Sequence, residues 1–201
     1  SKGGNVISAT GALYAVRRNL AQPVPDGVTD DFAMSTAVIE QGARLVFEPG
    51  AVAYEPPSSA LSGEYRRKVR VMTRGLRSVM LRRRLLDPRL SGFYAVQLFS
   101  HKVLRRLVVV PLLVSLVAAW RLRHRSPLYA LAAFGQLGVH LLAAIGVAGA
   151  GNRVGRSKLF AVPAFFDMVN AASLHALWNI VTRRRIDRWT PERPPVGRAK
   201  S

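Results

Sequence analysis

Two apolar runs constrain this chain more than any other feature. Leu128–Gly151 is 24 residues with no formal charge, and Leu159–Thr182 is 24 residues with one acid, Asp167. At about 1.5 Å of rise per residue, each would form a helix roughly 36 Å long, enough to cross a hydrocarbon core of about 30 Å. Neither has the polar face that a helix in a soluble bundle needs, so two in succession point to membrane spans. A third run, Leu107–Trp120, has 14 uncharged residues. It reaches spanning length if Val103 and Leu104 join it while the neighbouring arginines snorkel. The connections "RLRHRS" (121–126) and "NRVGRSK" (152–158) and the segment "RRRIDR" (183–188) are all positive, so the positive-inside bias does not orient the spans.

The charge is as informative as the apolar runs. Thirty Lys and Arg against 11 Asp and Glu give a net charge of +19, which calls for an anionic partner. Residues 64–89, "EYRRKVRVMTRGLRSVMLRRRLLDPR", hold ten Lys/Arg against two acids, and much of the remainder brackets the apolar runs. Such a distribution suits anionic lipid headgroups. A nucleic-acid binder would interleave aromatics with the basic residues, and this stretch has Tyr65 alone, so nucleic acid is not an expected partner. The chain has no Cys, which removes disulfides and thiolate metal sites. It opens at Ser1 with no signal-peptide pattern, and the expectation is a piece of a longer protein.

Four regions follow from composition and spacing. Residues 1–63 read as mixed α/β: a strand in "ISATGALYAV" (7–16), turn chemistry in "VPDGVTD", a short helix from Asp31 to Gln41 stopped by Gly42, and two strand-like pieces around Pro49-Gly50 in "ARLVFEPGAVAYEPP". That is half of an α/β domain, too small to close a core alone. Residues 64–106 read as a basic helix and then an amphipathic one, with Phe93, Val96, Leu98 and Phe99 in a bilayer interface and Lys102, Arg105 and Arg106 reaching headgroups. Residues 107–182 hold two to three spans. Residues 183–201 read as a basic, disordered tail from their Pro and charge content.

Within this basic chain "GVTDDFAMS" (27–35) sets Asp30 beside Asp31 at a helix start. Acids in a first turn satisfy orphan N–H groups and favour the macrodipole, so capping explains part of the pair.

The order of short motifs supplies another explanation. "TGALYAVRR" (10–18), "TDDF" (29–32), "EQGARLVFEPGAVAYE" (40–55), "EYRRKVRVMTRG" (64–75) and "SHKVLRR" (100–106) precede the apolar spans. In this order they resemble the C-terminal half of a membrane-bound family 2 glycosyltransferase, the inverting GT-A group that includes cellulose, hyaluronan and chitin synthases. The resemblance covers about residues 8–106. It implies that Thr29-Asp30-Asp31 matches the family's TED motif, with Asp31 as the catalytic base and Asp30 as the supporting acid and cap. It implies that Arg67 and Arg70 match the (Q/R)xxRW motif and neutralise a leaving diphosphate, with Val71 in place of the Trp, so processive synthesis is not implied. Thr10, Gly11 and Ala12 fall on the small-residue segment that lines the sugar and acceptor site.

The resemblance further implies a nucleotide-sugar donor, a glycan or lipid-linked acceptor, and a divalent cation, Mg or Mn, whose acidic ligands and nucleotide-binding half lie outside this chain. It implies an integral protein of a bacterial inner or plasma membrane, with the catalytic part facing the cytoplasm. The contrasting expectation is a non-enzymatic, membrane-anchored module that binds anionic lipid or a partner through its basic helix.

Two further signals carry little. "GAGNRVGRSK" (149–158) fits neither the dinucleotide nor the P-loop template and reads as a membrane loop. The histidines at 101, 124, 140 and 175 lack metal-ligand spacing. Asp167, inside an apolar run, is expected to pair with a neighbouring helix.

Overall fold

A computed structural model describes residues 6–54 and 61–184 of the chain. Six helices organise it: α1 (Asp30–Glu40), α2 (Leu61–Leu81), α3 (Phe93–Leu98), α4 (Val109–Leu122), α5 (Pro127–Ala148) and α6 (Lys158–Val181). A π-helical turn, Phe99–Leu104, joins α3 to the residues leading into α4.

No strand forms among the described residues, and this corrects the expected α/β half-domain. The segments read as strands are extended or turned chain. Val6 N donates to Leu45 O at 3.0 Å, which brings two of them together, but no ladder builds on that bond. The apolar residues that would pack a sheet face, Val46, Phe47, Val52 and Tyr54, are exposed instead. A short pair of extended pieces with no third strand or covering helix has nothing to offset its ordering cost. Glu55 and residues 185–201, which include most of the expected tail, lie outside the described residues.

The helix expected over 31–41 is present as α1, and Gly42 follows its C-cap with φ +78°, a left-handed conformation that a Cβ disfavours. The basic helix is α2. One side of it buries Val69, Thr73 and Leu76 at helical spacing, and another buries Gly75, Ser78 and Val79. Val79 joins Phe32, Leu85, Tyr94 and Leu98 in a small core, with Ile7, Ile39, Leu86 and Val103 packed against it. This core is built from four separate stretches of chain, so burial of a few large side chains holds α1 against α2 and α3.

The two 24-residue runs form α5 and α6, both long and apolar enough to cross a membrane. Ser126 accepts a hydrogen bond from Leu128 N at the start of α5, with Pro127 in the first turn. The two helices run antiparallel and close together. Gly146 lies against the carbonyl of Phe160, where a Cβ would collide, and His140 of α5 meets Asp167 of α6 at 2.9 Å. Asp167 therefore has the neighbouring-helix partner expected for an acid in an apolar run. Gly155 is pressed onto Gly149 O in the connecting "GAGNRVGRSK" hairpin, so its glycines serve close backbone packing rather than a phosphate loop.

The far part of α6 packs on α2. Tyr65 OH lies 3.1 Å from His175 Nδ1, Ser173 Oγ 3.3 Å from Met72 Sδ, and Asn179 Nδ2 3.5 Å from Thr73 Oγ1. A single helix thus joins the apolar pair to the basic helix. The segment Phe93–Leu107 meets α4 at a bend of 43°; counted as one broken span, the pair brings the number of spans to three. The charge between 101 and 106 falls in the first limb of that pair, before α4.

Candidate functional site

Asp30 and Asp31 occupy the first turn of α1, and the cap position itself belongs to Thr29. Thr29 has extended dihedrals, and its carbonyl accepts from Ala33 N at 2.8 Å. Its own N–H and hydroxyl turn to Ser78 Oγ of α2, at 3.0 and 3.2 Å. The acid that takes a backbone N–H is Asp31, whose Oδ1 accepts from Phe32 N at 2.8 Å. Asp30 is 75% exposed and has Arg74 Nη2 at 3.4 Å. The stabilising role expected of Asp30 is therefore carried by Thr29, Ser78 and Asp31.

Asp31 is half-buried, and its second oxygen faces Gly11: a Cβ built there would lie 3.5 Å from Oδ2. The expected small-residue segment thus meets the expected base at Gly11, and Thr10, Gly11 and Ala12 are all exposed. Tyr94 fixes this approach by donating from its hydroxyl to Ile7 O at 2.8 Å; burial pushes that phenol up to about 12. Opposite lies Lys102, whose ammonium sits 5.0 Å from the centre of the Phe32 ring. Burial lowers the Lys102 pKa and Arg106 adds to the lowering; Asp31 acts in the opposite direction, and Arg105 again lowers it.

Arg106 stands behind Lys102. It donates to Lys102 O, and its guanidinium reaches α2 at Gly75, where a Cβ would come within 2.8 Å of Nη2. Glycine at 75 is what admits the arginine. Burial, and then Arg105, lowers the Arg106 pKa.

The arginine that reaches the acidic turn is Arg74. Its Nε donates to Val28 O at 2.7 Å, alongside its contact with Asp30. Arg70 lies one turn earlier on α2 and Arg67 roughly 10 Å earlier by helical rise. Arg67 is 55% exposed and donates to Glu64 Oε2 at 3.1 Å. Glu64 also holds Lys68 at 3.3 Å; burial raises the Glu64 pKa, but the bonds from Lys68 and Arg67 outweigh it and the net direction is down. Burial lowers the Arg70 pKa, with Arg74 and Arg67 contributing as like charges in one row. Arg82, at the end of the basic stretch, ion-pairs with Glu40 and donates to Gln22 Oε1 at 2.9 Å.

No group of three or more metal-ligating side chains comes together among the described residues. Asp30 and Asp31 do not fit a metal pair either, since Arg74 and a backbone N–H with Lys102 already face them.

Sequence spacing missed Arg74, Ser78, Gly75, Lys102 and Arg106 as neighbours of the acidic turn. One signal was present: Gly75 and Ser78 are small residues within the bulky, basic run 64–81, where another element can approach closely. The resulting arrangement is a carboxylate anchored through one oxygen, with the other facing Gly11 and the half-buried Lys102 packed over the neighbouring Phe32 ring. No known protein family matches the chain, and neither a curated protein nor a solved structure is significantly similar to it.

Proposed function

We propose that this chain is the acceptor-side, membrane-anchored part of an inverting sugar transferase, with Asp31 as the general base. The observation that carries the reading is the half-buried Asp31 carboxylate, Oδ1 held by Phe32 N, Oδ2 beneath Gly11, and Lys102 opposite. In the reaction an acceptor hydroxyl forms the new C–O bond at the anomeric carbon and gives its proton to Asp31 Oδ2. The bond from that carbon to the donor phosphate oxygen breaks, and the diphosphate leaves with the electron pair. The developing negative charge on the leaving group is met by cations, with Lys102 and Arg74 nearest the acidic turn and Arg70 next along α2. The nucleotide of the donor is held by residues outside this chain.

The test is sugar transfer in membranes that hold the complete protein, with a panel of labelled nucleotide sugars. Asp31→Asn should lower transfer about 10²–10⁴-fold, the usual loss for a general base. Retention of more than about a tenth of the rate would remove the assignment.

A second reading, a non-enzymatic module that binds anionic lipid, is favoured by one observation: Arg67 is exposed and tied to Glu64 rather than to the acidic turn. It predicts no transfer with any donor, and vesicle binding that falls with the loss of α2 arginines.

A further inference from the structure

A cavity of about 420 Å³ opens beside the site, lined by His101, Lys102 and Arg105 from the π-helical turn and by Val6, Ile7 and Ser8 from the N-terminal segment. His101 and Arg105 are four residues apart, about one helical turn, so they lie on the same side with Lys102 next to them. Single π turns inside α-helices are frequent at functional sites, because they re-aim side chains at the expense of regular bonding.

The charge of the lining is not balanced: it holds two formal cations, half-buried Lys102 and exposed Arg105, and no carboxylate, so two positive charges are uncompensated within it. An anion in the cavity would be met by both. His101–Arg105 lies a few residues before α4 and before the 43° bend, next to the apolar segment that would enter a bilayer. Headgroup phosphates occupy that level of a bilayer.

We propose that this cavity is a binding site for a phosphate monoester, with Lys102 and Arg105 as its principal ligands and His101 and Ser8 completing the lining. A dianionic monoester matches the two uncompensated charges, whereas a diester headgroup carries one. Binding here does not depend on Asp31 being a base, so it stands or falls separately from the transferase reading.

The test uses the full chain in neutral detergent, titrated with dioctanoyl phosphatidic acid, dioctanoyl phosphatidylglycerol or inorganic phosphate and read by calorimetry. Phosphatidic acid should bind about tenfold or more tightly than phosphatidylglycerol, as expected when charge-assisted bonds to a monoester are lost in a diester. Lys102→Gln with Arg105→Gln should weaken phosphatidic acid by about tenfold or more. Arg83→Gln with Arg84→Gln removes the same charge elsewhere and should change it by less than about threefold, as expected of solvated surface charges.

Inorganic phosphate binding as tightly as phosphatidic acid would identify a free phosphate site, and much weaker binding a lipid site; both support the monoester cavity. Equal affinity for the two lipids, or equal losses in the two double variants, would overturn it. Should the Lys102 variant fail to fold, Arg105→Gln and His101→Gln, both at exposed positions, decide the matter by the same criterion.

Discussion

Replacing Gly146 by Ala is a direct test of how α5 and α6 meet. A Cβ at 146 would collide with Phe160 O and lie 2.9 Å from Ala164 Cβ, closer than real contacts allow. The carbonyl belongs to a regular helix and cannot swing aside, so the helices must separate or shift. Overpacking of this kind costs about 1–3 kcal/mol. Against it stands the helix propensity gained on going from Gly to Ala, up to about 1 kcal/mol. Gly138, on the same helix, has nothing within 4 Å of its added Cβ, so Gly138→Ala takes the same propensity gain without the collision. The difference between the two variants therefore isolates the contact, and Gly146→Ala should be less stable than Gly138→Ala by about 1–3 kcal/mol. Reversible unfolding in mixed detergent micelles, followed by circular dichroism, measures it. Equal stability of the two variants would refute the close antiparallel crossing.

Three further outcomes are expected. Arg74→Ala should destabilise by about 1.5–3 kcal/mol, because it leaves Val28 O without its charged donor, whereas Arg67→Ala, at an exposed ion pair, should fall within about 0.5 kcal/mol of wild type in the same thermal melt. A double-mutant cycle of His140→Leu and Asp167→Leu should give a coupling of about 1 kcal/mol, with the double variant better folded than additivity predicts; zero coupling would dissolve the interhelical pair. Tyr94→Phe removes the bond to Ile7 O, at about 1 kcal/mol, and should speed proteolysis within residues 8–16 while α5 and α6 stay protected.

The long-range features of this chain were legible where one residue type decides the outcome. The long apolar runs of α5 and α6, the Gly42 stop after α1 and the basic character of α2 needed no partner to be recognised. The extended pieces around 7–16 and 43–54 were misread because small and β-prone residues encode a strand only when a neighbour supplies a ladder, and here no ladder forms. The site was half legible. Asp31 stood out as an acid in a basic chain, but its surroundings come from Gly75 admitting Arg106, from Ser78 reaching Thr29 and from the Tyr94–Ile7 tether, all contacts between residues far apart in sequence. Arg67 and Arg70 fitted a motif spacing, yet which arginine meets the acidic turn depends on how far α2 slides along α6, and that is set by packing at Thr73, Leu76 and Ser173.

The π turn at Phe99–Leu104 makes the cavity sensitive to chain length rather than to side-chain identity. A π turn holds one residue more than the α turn it replaces. Deleting Val103 would let the turn close as a regular α-helix, and because the π turn is what absorbs the extra residue, α4 would keep its register relative to α3. Every cation would survive that deletion and Arg106 would still face Gly75, but the step from Lys102 to Arg105 would shorten from three residues to two, so the two would no longer be presented together. A one-residue deletion would thus separate the cavity's cations while leaving the helices on either side in place.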